Sequence, residues 1–179
     1  MSTTKERPRV VLLAAMSIDG FIAPADKEAL PSTTWTSKED WRFFTKRSKE
    51  LGTLIMGSAT FETIRRPLAE RQLVVLTSQP QRYTSYSDPS LTFTDETPAA
   101  LLTRLASQEI EQVALCGGAR VYGQFLQADL VDELQLTVEP YIFGRGIKLC
   151  DVSLEQQWRL VEQQPLNEQG TVVWRYEKG

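Results

Sequence analysis

Histidine is missing from all 179 residues. That removes Ser-His-Asp triads, most zinc sites and imidazole acid–base catalysis. Proton chemistry is left to carboxylates, tyrosine, lysine or water. Cysteine is nearly absent too. Cys116 and Cys150 both stand in apolar settings, which reads as buried thiols and not as a disulfide. No metal site is expected. No apolar run approaches the ~20 residues of a membrane span. Met1 to Arg9 is polar and lacks the apolar stretch of a secretory signal, so a cytoplasmic protein is expected. Positive charge is not in excess: 20 Lys and Arg against 23 Asp and Glu give a net charge of −3. A broad nucleic-acid-binding surface is thereby excluded. Repeats, linkers and low-complexity segments are also absent. The chain reads as a loose tail, 1–9, and one domain over 10–179, with room for a sizeable core.

What is present is an alternation of short apolar runs and helical spacings. Val10–Ala15 is a continuous apolar run, hence a central strand. Asp19–Gly20 signals a turn, after which the chain runs on extended, and Pro24–Thr34 is a polar loop. Ser37 and Asp40 have the spacing of a capping box. They open a helix whose face is Trp41, Phe44, Ser48 and Leu51 and which ends near Gly52. Thr53–Met56 is a second strand, and Ser58 is placed to cap a short helix, Ala59–Ile64. Leu73–Thr77 and Leu91–Thr94 are further strands around a loop. Thr97 and Pro98 start a helix that turns Leu101, Leu102 and Leu105 inward. Val113–Cys116 is the fifth strand. Past Asp129 the pattern changes to period two: Leu134, Leu136 and Val138 alternate with polar residues, as in a half-buried strand. Tyr141–Leu149 reads as loop, and Trp158–Gln163 and Thr171–Tyr176 as two terminal strands. The order implies an α/β sheet, mostly parallel, with an antiparallel C-terminal edge.

Two places carry chemistry. Val113–Cys116 runs straight into Gly117–Gly118 and then into a helical spacing at Val121, Tyr122, Phe125 and Leu126. A strand, two glycines and a helix start bring bare backbone N–H groups to the sheet's carboxyl edge, where phosphates bind. The bland alternative is a tight turn with no ligand. The second place is Asp40. A carboxylate at a helix start against aromatic residues can hold a proton or pair with a heterocycle edge, or it can simply complete the capping box. Glu39 is the fallback acid, and Asp19 reads as a turn residue.

Several segments, spread from Val10 to Tyr176, resemble the dihydrofolate reductase superfamily, including its sister branch, the C-terminal reductase domain of the bifunctional riboflavin-pathway deaminase–reductase. Leu54–Ile64, with Arg66–Pro67–Leu68 and Leu76–Pro80 beyond it, resembles dihydrofolate reductase, as does Gly117–Tyr122. Met16–Ala23 and Leu136–Pro140, followed by Gly144–Arg145–Gly146, look more like the riboflavin branch. The resemblance implies a three-layer fold with a central sheet of about eight strands, NADPH as hydride donor and a cis peptide between Gly117 and Gly118. It implies that Gly118, Ala119, Arg120 and Val121 face the pyrophosphate and that Gly57, Ser58, Ala59 and Thr60 begin a second phosphate-facing helix. Thr77 and Ser78 would lie near the adenosine 2′-phosphate; Ala15, Ile22 and Tyr122 near the nicotinamide.

The resemblance also makes Asp40 the catalytic carboxylate, with Trp35, Phe44 and Thr137 around the substrate. It sets Arg71 where folate reducers grip the glutamate tail. A ribose 5-phosphate would instead need a cation, for which Lys27, Arg65, Arg66 and Arg145 are candidates. One departure matters: where folate reducers carry a 2′-phosphate-clamping Arg after Met-Gly, this chain has Ser58. A charge-assisted Arg–phosphate contact is worth roughly 1.5–3 kcal/mol. The expected preference for NADPH over NADH is therefore modest, with Arg120 as the compensating cation.

Three functions fit: a riboflavin-branch reductase of the ribosyl group of 5-amino-6-(5-phosphoribosylamino)uracil, a dihydrofolate reductase, or an NADPH-binding module without catalysis. The resemblance to the riboflavin branch suggests a homodimer as a possible state.

Overall fold

A computed structural model describes residues 6–25 and 31–179. The chain forms ten strands and four α-helices among them: β1 (Arg9–Ser17), β2 (Phe21–Pro24), α1 (Lys38–Leu51), β3 (Thr53–Gly57), α2 (Ser58–Glu62), β4 (Gln72–Leu76), β5 (Leu91–Thr94), α3 (Pro98–Ser107), β6 (Gln112–Leu115), α4 (Ala119–Gln127), β7 (Glu133–Glu139), β8 (Gly146–Lys148), β9 (Trp158–Pro165) and β10 (Val172–Lys178). Eight of the strands make one sheet in the order β5-β4-β3-β6-β1-β7-β10-β9. The pairs from β5 across to β7 are parallel, and β10 and β9 add an antiparallel edge. Among the described residues, no helix is long and apolar enough to cross a membrane.

The central strands are apolar on both sides because both faces are covered. Val10 and Leu12 of β1 pack with Leu101, Leu102, Leu105 and Phe125 of α3 and α4. Val11 and Leu13 turn the other way, onto Leu51 of α1 and Phe61 of α2. Helix ends follow their local chemistry. Ser37 Oγ accepts the Asp40 N–H at 3.1 Å, and Gly52 closes α1 at a φ of 73°. Thr97 caps α3, with Pro98 at the first position.

Strand order reverses at β6. The chain steps outward through β3, β4 and β5, then returns to insert β6 between β3 and β1. Ligands of open α/β sheets bind outside the carboxyl ends at such a reversal. The Gly117–Gly118 turn leaves β6 at that point.

Four expectations change. The tail is not loose up to Arg9: Arg9 starts β1, Pro8 is buried, and Arg7 is held by Asp132 through two bonds of 2.7 and 2.8 Å. The expected loop Tyr141–Leu149 contains β8, which pairs with β2. Gly146 is needed there, because a Cβ would stand 2.2 Å from the Ala23 carbonyl oxygen. Ser58 does not cap α2; Gly57 does, and Ser58 is the first helical residue. Finally, β7 is not half-buried. Glu133, Gln135, Thr137 and Glu139 are all inside, because the polar face that alternation assigned to solvent is covered.

Candidate active site

The carboxyl ends of β1, β3, β4 and β6 border one cavity of about 1070 Å³. That is the upper end of the range for cofactor and small-molecule sites. Its floor is the turn after β6. The Gly117–Gly118 peptide is cis. Gly118 is the N-cap of α4 and offers its first-turn N–H groups no side chain. Those orphan donors, with the partial positive charge of the helix end, face the cavity. The two phosphate-facing turns also touch. Gly57 N–H donates to the Gly117 carbonyl at 2.7 Å, and a Cβ on Gly57 would lie 2.9 Å from Val121 Cγ2.

Ala15, Ile22, Thr60, Ala119, Arg120, Val121 and Tyr122 line the cavity. So do Gly57, Ser58, Ala59, Thr77 and Ser78. Register sets Gly57 beside Leu76 and Leu76 beside Thr94. The next residues, Ser58, Thr77 and Asp95, thus form a row across three strand ends, and that row holds no cation. All fourteen residues expected against the cofactor line this one cavity.

Two candidate proton carriers in the floor are committed elsewhere. Tyr122 donates its hydroxyl to the Leu13 carbonyl at 2.6 Å, and burial raises its pKa well above the usual phenol value. Burial likewise pushes the Cys116 thiol up to about 12, so the thiol stays protonated and a poor nucleophile. Neither cysteine is in a disulfide. Among the described residues, no group of His, Cys, Asp or Glu is gathered to hold a metal.

Asp40 stands in the wall of the same cavity and is 6% exposed. Its backbone N–H completes half of the capping box at Ser37. The other half is missing: the Ser37 N–H donates to Glu139 Oε1 at 2.7 Å and not to the Asp40 carboxylate. The carboxylate is therefore released from capping. Burial raises its pKa; the hydroxyls of Thr137 and Thr36 pull it down, and the charge of Glu139 adds to the rise. A carboxyl set this way keeps its proton to higher pH than an ordinary aspartate.

Phe44 and Thr137 share the wall with Asp40. Trp35 and Arg71 lie outside it. Trp35 is buried and packs edge-on against Phe143 and Tyr141, with ring centroids 5.0 and 6.3 Å away. Arg71 is neither solvated nor turned to the cavity. Its guanidinium folds inward, donating to Ser48 Oγ at 2.8 Å and to the Ala69 carbonyl at 3.1 Å. Of the four cations considered for a phosphate, Arg66 lines the cavity. Arg65 pairs with Glu62 at 2.8 Å, Arg145 is exposed and outside the wall, and Lys27 is outside the described residues. Glu39 is outside this wall and pairs with Arg42. Asp19 is a turn residue, its carboxylate accepting from Ser17 Oγ at 2.6 Å and from the Gly144 N–H at 2.7 Å.

Sequence reasoning missed Gln135. It lines the wall near Asp40, donates to Glu133 and accepts from Arg47 Nε at 3.2 Å, so its amide is fixed at both ends. The signal was the run of polar residues at every second position of β7, read as a wet face.

Comparison with known proteins gives the family and the fold. YwjB of Bacillus subtilis (strain 168), an uncharacterized protein, is 30% identical over 149 residues, covering 79% of this chain and 82% of that one. A diaminohydroxyphosphoribosylaminopyrimidine deaminase/5-amino-6-(5-phosphoribosylamino)uracil reductase from Thermotoga maritima has the same fold, with a TM-score of 0.77 at 18% identity; the match covers 98% of this chain and 58% of that one. Dihydrofolate reductase from Enterococcus faecalis, complexed with NADP(H), superposes with a TM-score of 0.71 at 23% identity, covering 95% and 96% of the two chains. The model of the RibD C-terminal domain matches residues 8–172, and this chain belongs to that family.

Proposed function

We propose that the protein is an NADPH-dependent reductase that transfers a hydride to the ribosyl group of 5-amino-6-(5-phosphoribosylamino)uracil. The observation that carries the reading is the placement of Asp40: a carboxyl freed from its helix end and buried in the wall of the cavity whose floor is the uncapped start of α4. Family membership supports reductase chemistry. The two turns suit the cofactor's phosphates: Gly57, Gly117 and Gly118 let the turns pack closely, since a Cβ would stand 2.9 Å from Val121, 3.3 Å from Tyr122 and 3.3 Å from Thr60 respectively. When bound, NADPH supplies the hydride. The chain's own groups do the rest. The first-turn N–H groups of α4 hold negative charge. Ala15 and Ile22 line the trough. Asp40 holds a proton near the acceptor, and Thr137 and Gln135 fix that wall.

Arg66 supports the ribose phosphate over a folate. It lines the cavity with an exposed side chain free to reach toward a bound phosphate, whereas Arg71 is turned away. Arg66→Ala is expected to raise KM for the phosphorylated substrate about 10- to 100-fold with a smaller change in kcat, the value of one charge-assisted contact. Purified protein should oxidise NADPH with the aminouracil ribose phosphate and not with dihydrofolate. Turnover of dihydrofolate that methotrexate stops would replace this reading with the folate one. Cofactor binding without turnover on either would leave a binding module.

The row Ser58, Thr77 and Asp95 bears on the cofactor. NADPH is expected to be preferred only modestly over NADH. Ser58→Arg should tighten NADPH by about tenfold or more and leave NADH nearly unchanged. Fluorescence titration with both nucleotides measures this, and equal gains for the two would refute it.

A further inference from the structure

Glu139 is a buried carboxylate that the reaction does not use. It ends β7, is 1% exposed and lies outside the cavity wall. Its two oxygens are both engaged: Oε1 accepts the Ser37 N–H and Oε2 accepts the Thr171 hydroxyl, each at 2.7 Å. The first of these contacts has a consequence. Ser37 is the N-cap of α1 and Asp40 is its third helical residue. In a complete capping box, the side chain at that third position reaches back to the N-cap N–H. Here the donor is already taken by a residue from across the sheet.

We propose that Glu139 is a positioning residue for Asp40: by occupying the Ser37 N–H, it keeps the Asp40 carboxylate off the helix end and directed at the cavity. The bond from Thr171, just before β10, fixes Glu139 from its other side, so the substitute cap is held at the end of β7 and at the entry to β10. The inference rests on the reading of Asp40 as the proton-holding group. The groups that act on Asp40 are Thr137 and Glu139 from β7 and Thr36 ahead of α1; of these Glu139 alone is charged, and it raises the pKa of Asp40.

Two substitutions separate positioning from plain stability. Glu139→Gln keeps an oxygen for the Ser37 N–H and removes the charge. Glu139→Ala removes both and releases that N–H to Asp40. Asp40 is followed by carboxyl ¹³C NMR, its signal assigned by loss in Asp40→Asn, and needs no substrate. In Glu139→Gln the Asp40 titration should move to lower pH, and the pH profile of NADPH oxidation should move with it. In Glu139→Ala, turnover should fall about tenfold or more, the scale of a misdirected catalytic group. Affinity for reduced cofactor, titrated by fluorescence, should stay within about twofold, since the nucleotide trough is untouched. Glu139→Gln should restore most of the turnover lost in Glu139→Ala.

An Asp40 titration that moves no further in Glu139→Ala than in Glu139→Gln overturns the inference, as does an alanine variant as active as the parent. If Glu139→Ala does not fold, Glu139→Asp, whose shorter side chain falls short of the Ser37 N–H, takes its place. If the parent turns over no substrate, the reductase reading fails, and the NMR titration still judges Glu139.

Discussion

Asp40→Asn is expected to lower turnover by about 10²- to 10⁴-fold, the range for losing a positioned general acid. The amide is nearly isosteric and can still pair with a heterocycle edge. It cannot deliver a proton. Reduced-cofactor affinity should be unchanged, because Asp40 belongs to α1 and the phosphates would be held by the start of α4. The same substitution should make the protein more stable at neutral pH. Burial raises the Asp40 pKa in the folded chain. Between the unfolded and folded values, the folded state binds more proton than the unfolded one. Stability therefore falls as pH rises through that window, and the ionised carboxyl costs stability above it. Asparagine has nothing to ionise. Its melting temperature should exceed that of the parent at pH 7, and the gap should close as the pH approaches about 4, where free aspartate titrates. A gain in stability with a loss of turnover marks a group held for chemistry. An asparagine variant that turns over like the parent would remove Asp40 from the mechanism.

Gly57→Ala should cost about 1–3 kcal/mol, the range for overfilling a packed contact. The added Cβ would stand 2.9 Å from Val121 Cγ2. Val121 is buried and β-branched on a helix, so its side chain has one favoured rotamer and little room to yield. Relief must come from a shift of α4 against β3. That shift moves the first-turn N–H groups and strains the bond from Gly57 N–H to Gly117. Reduced-cofactor affinity should drop about tenfold or more, as expected when a pre-formed anion site loses its geometry. Val121→Ala removes the offending methyl groups. The double variant should regain most of the affinity, and a double-mutant cycle by calorimetry reports the coupling. Additive losses would mean that the two residues do not meet in the way described.

The helices were legible from local chemistry. Ser37 and Gly52 bracket α1, and Thr97 with Pro98 opens α3, because caps act within one turn and need no tertiary partner. The buried strands were legible as apolar runs. What escaped depends on distant residues. β8 spans three residues and has no period of its own; it exists through pairing with β2. The polar positions of β7 read as solvated, since alternation reports two different faces and not which one is wet. The fate of Arg71 was decided by Ser48, a helix residue far away in sequence. Asp40 and Ser37 were seen as a capping pair, but the contact that breaks the pair comes from Glu139 across the sheet. No pattern within one turn of Ser37 announces it.

The hydroxyl of Tyr122 marks where the sheet forks. β1 pairs with β6 only from Arg9 to Leu12, while its pairing with β7 continues to Ser17. Arg9 N–H donates toward the β6 side, and Val10 bonds to Asp132 on the β7 side. Backbone groups alternate sides along a strand, so Leu13 and Ala15 face the fork. Tyr122 satisfies Leu13. Ala15 has no β6 partner opposite it among the described residues, and it lines the cavity. Under the proposed function, its peptide would offer one donor and one acceptor to the primary carboxamide of a planar ring entering there, and rings without that substituent would be held less well.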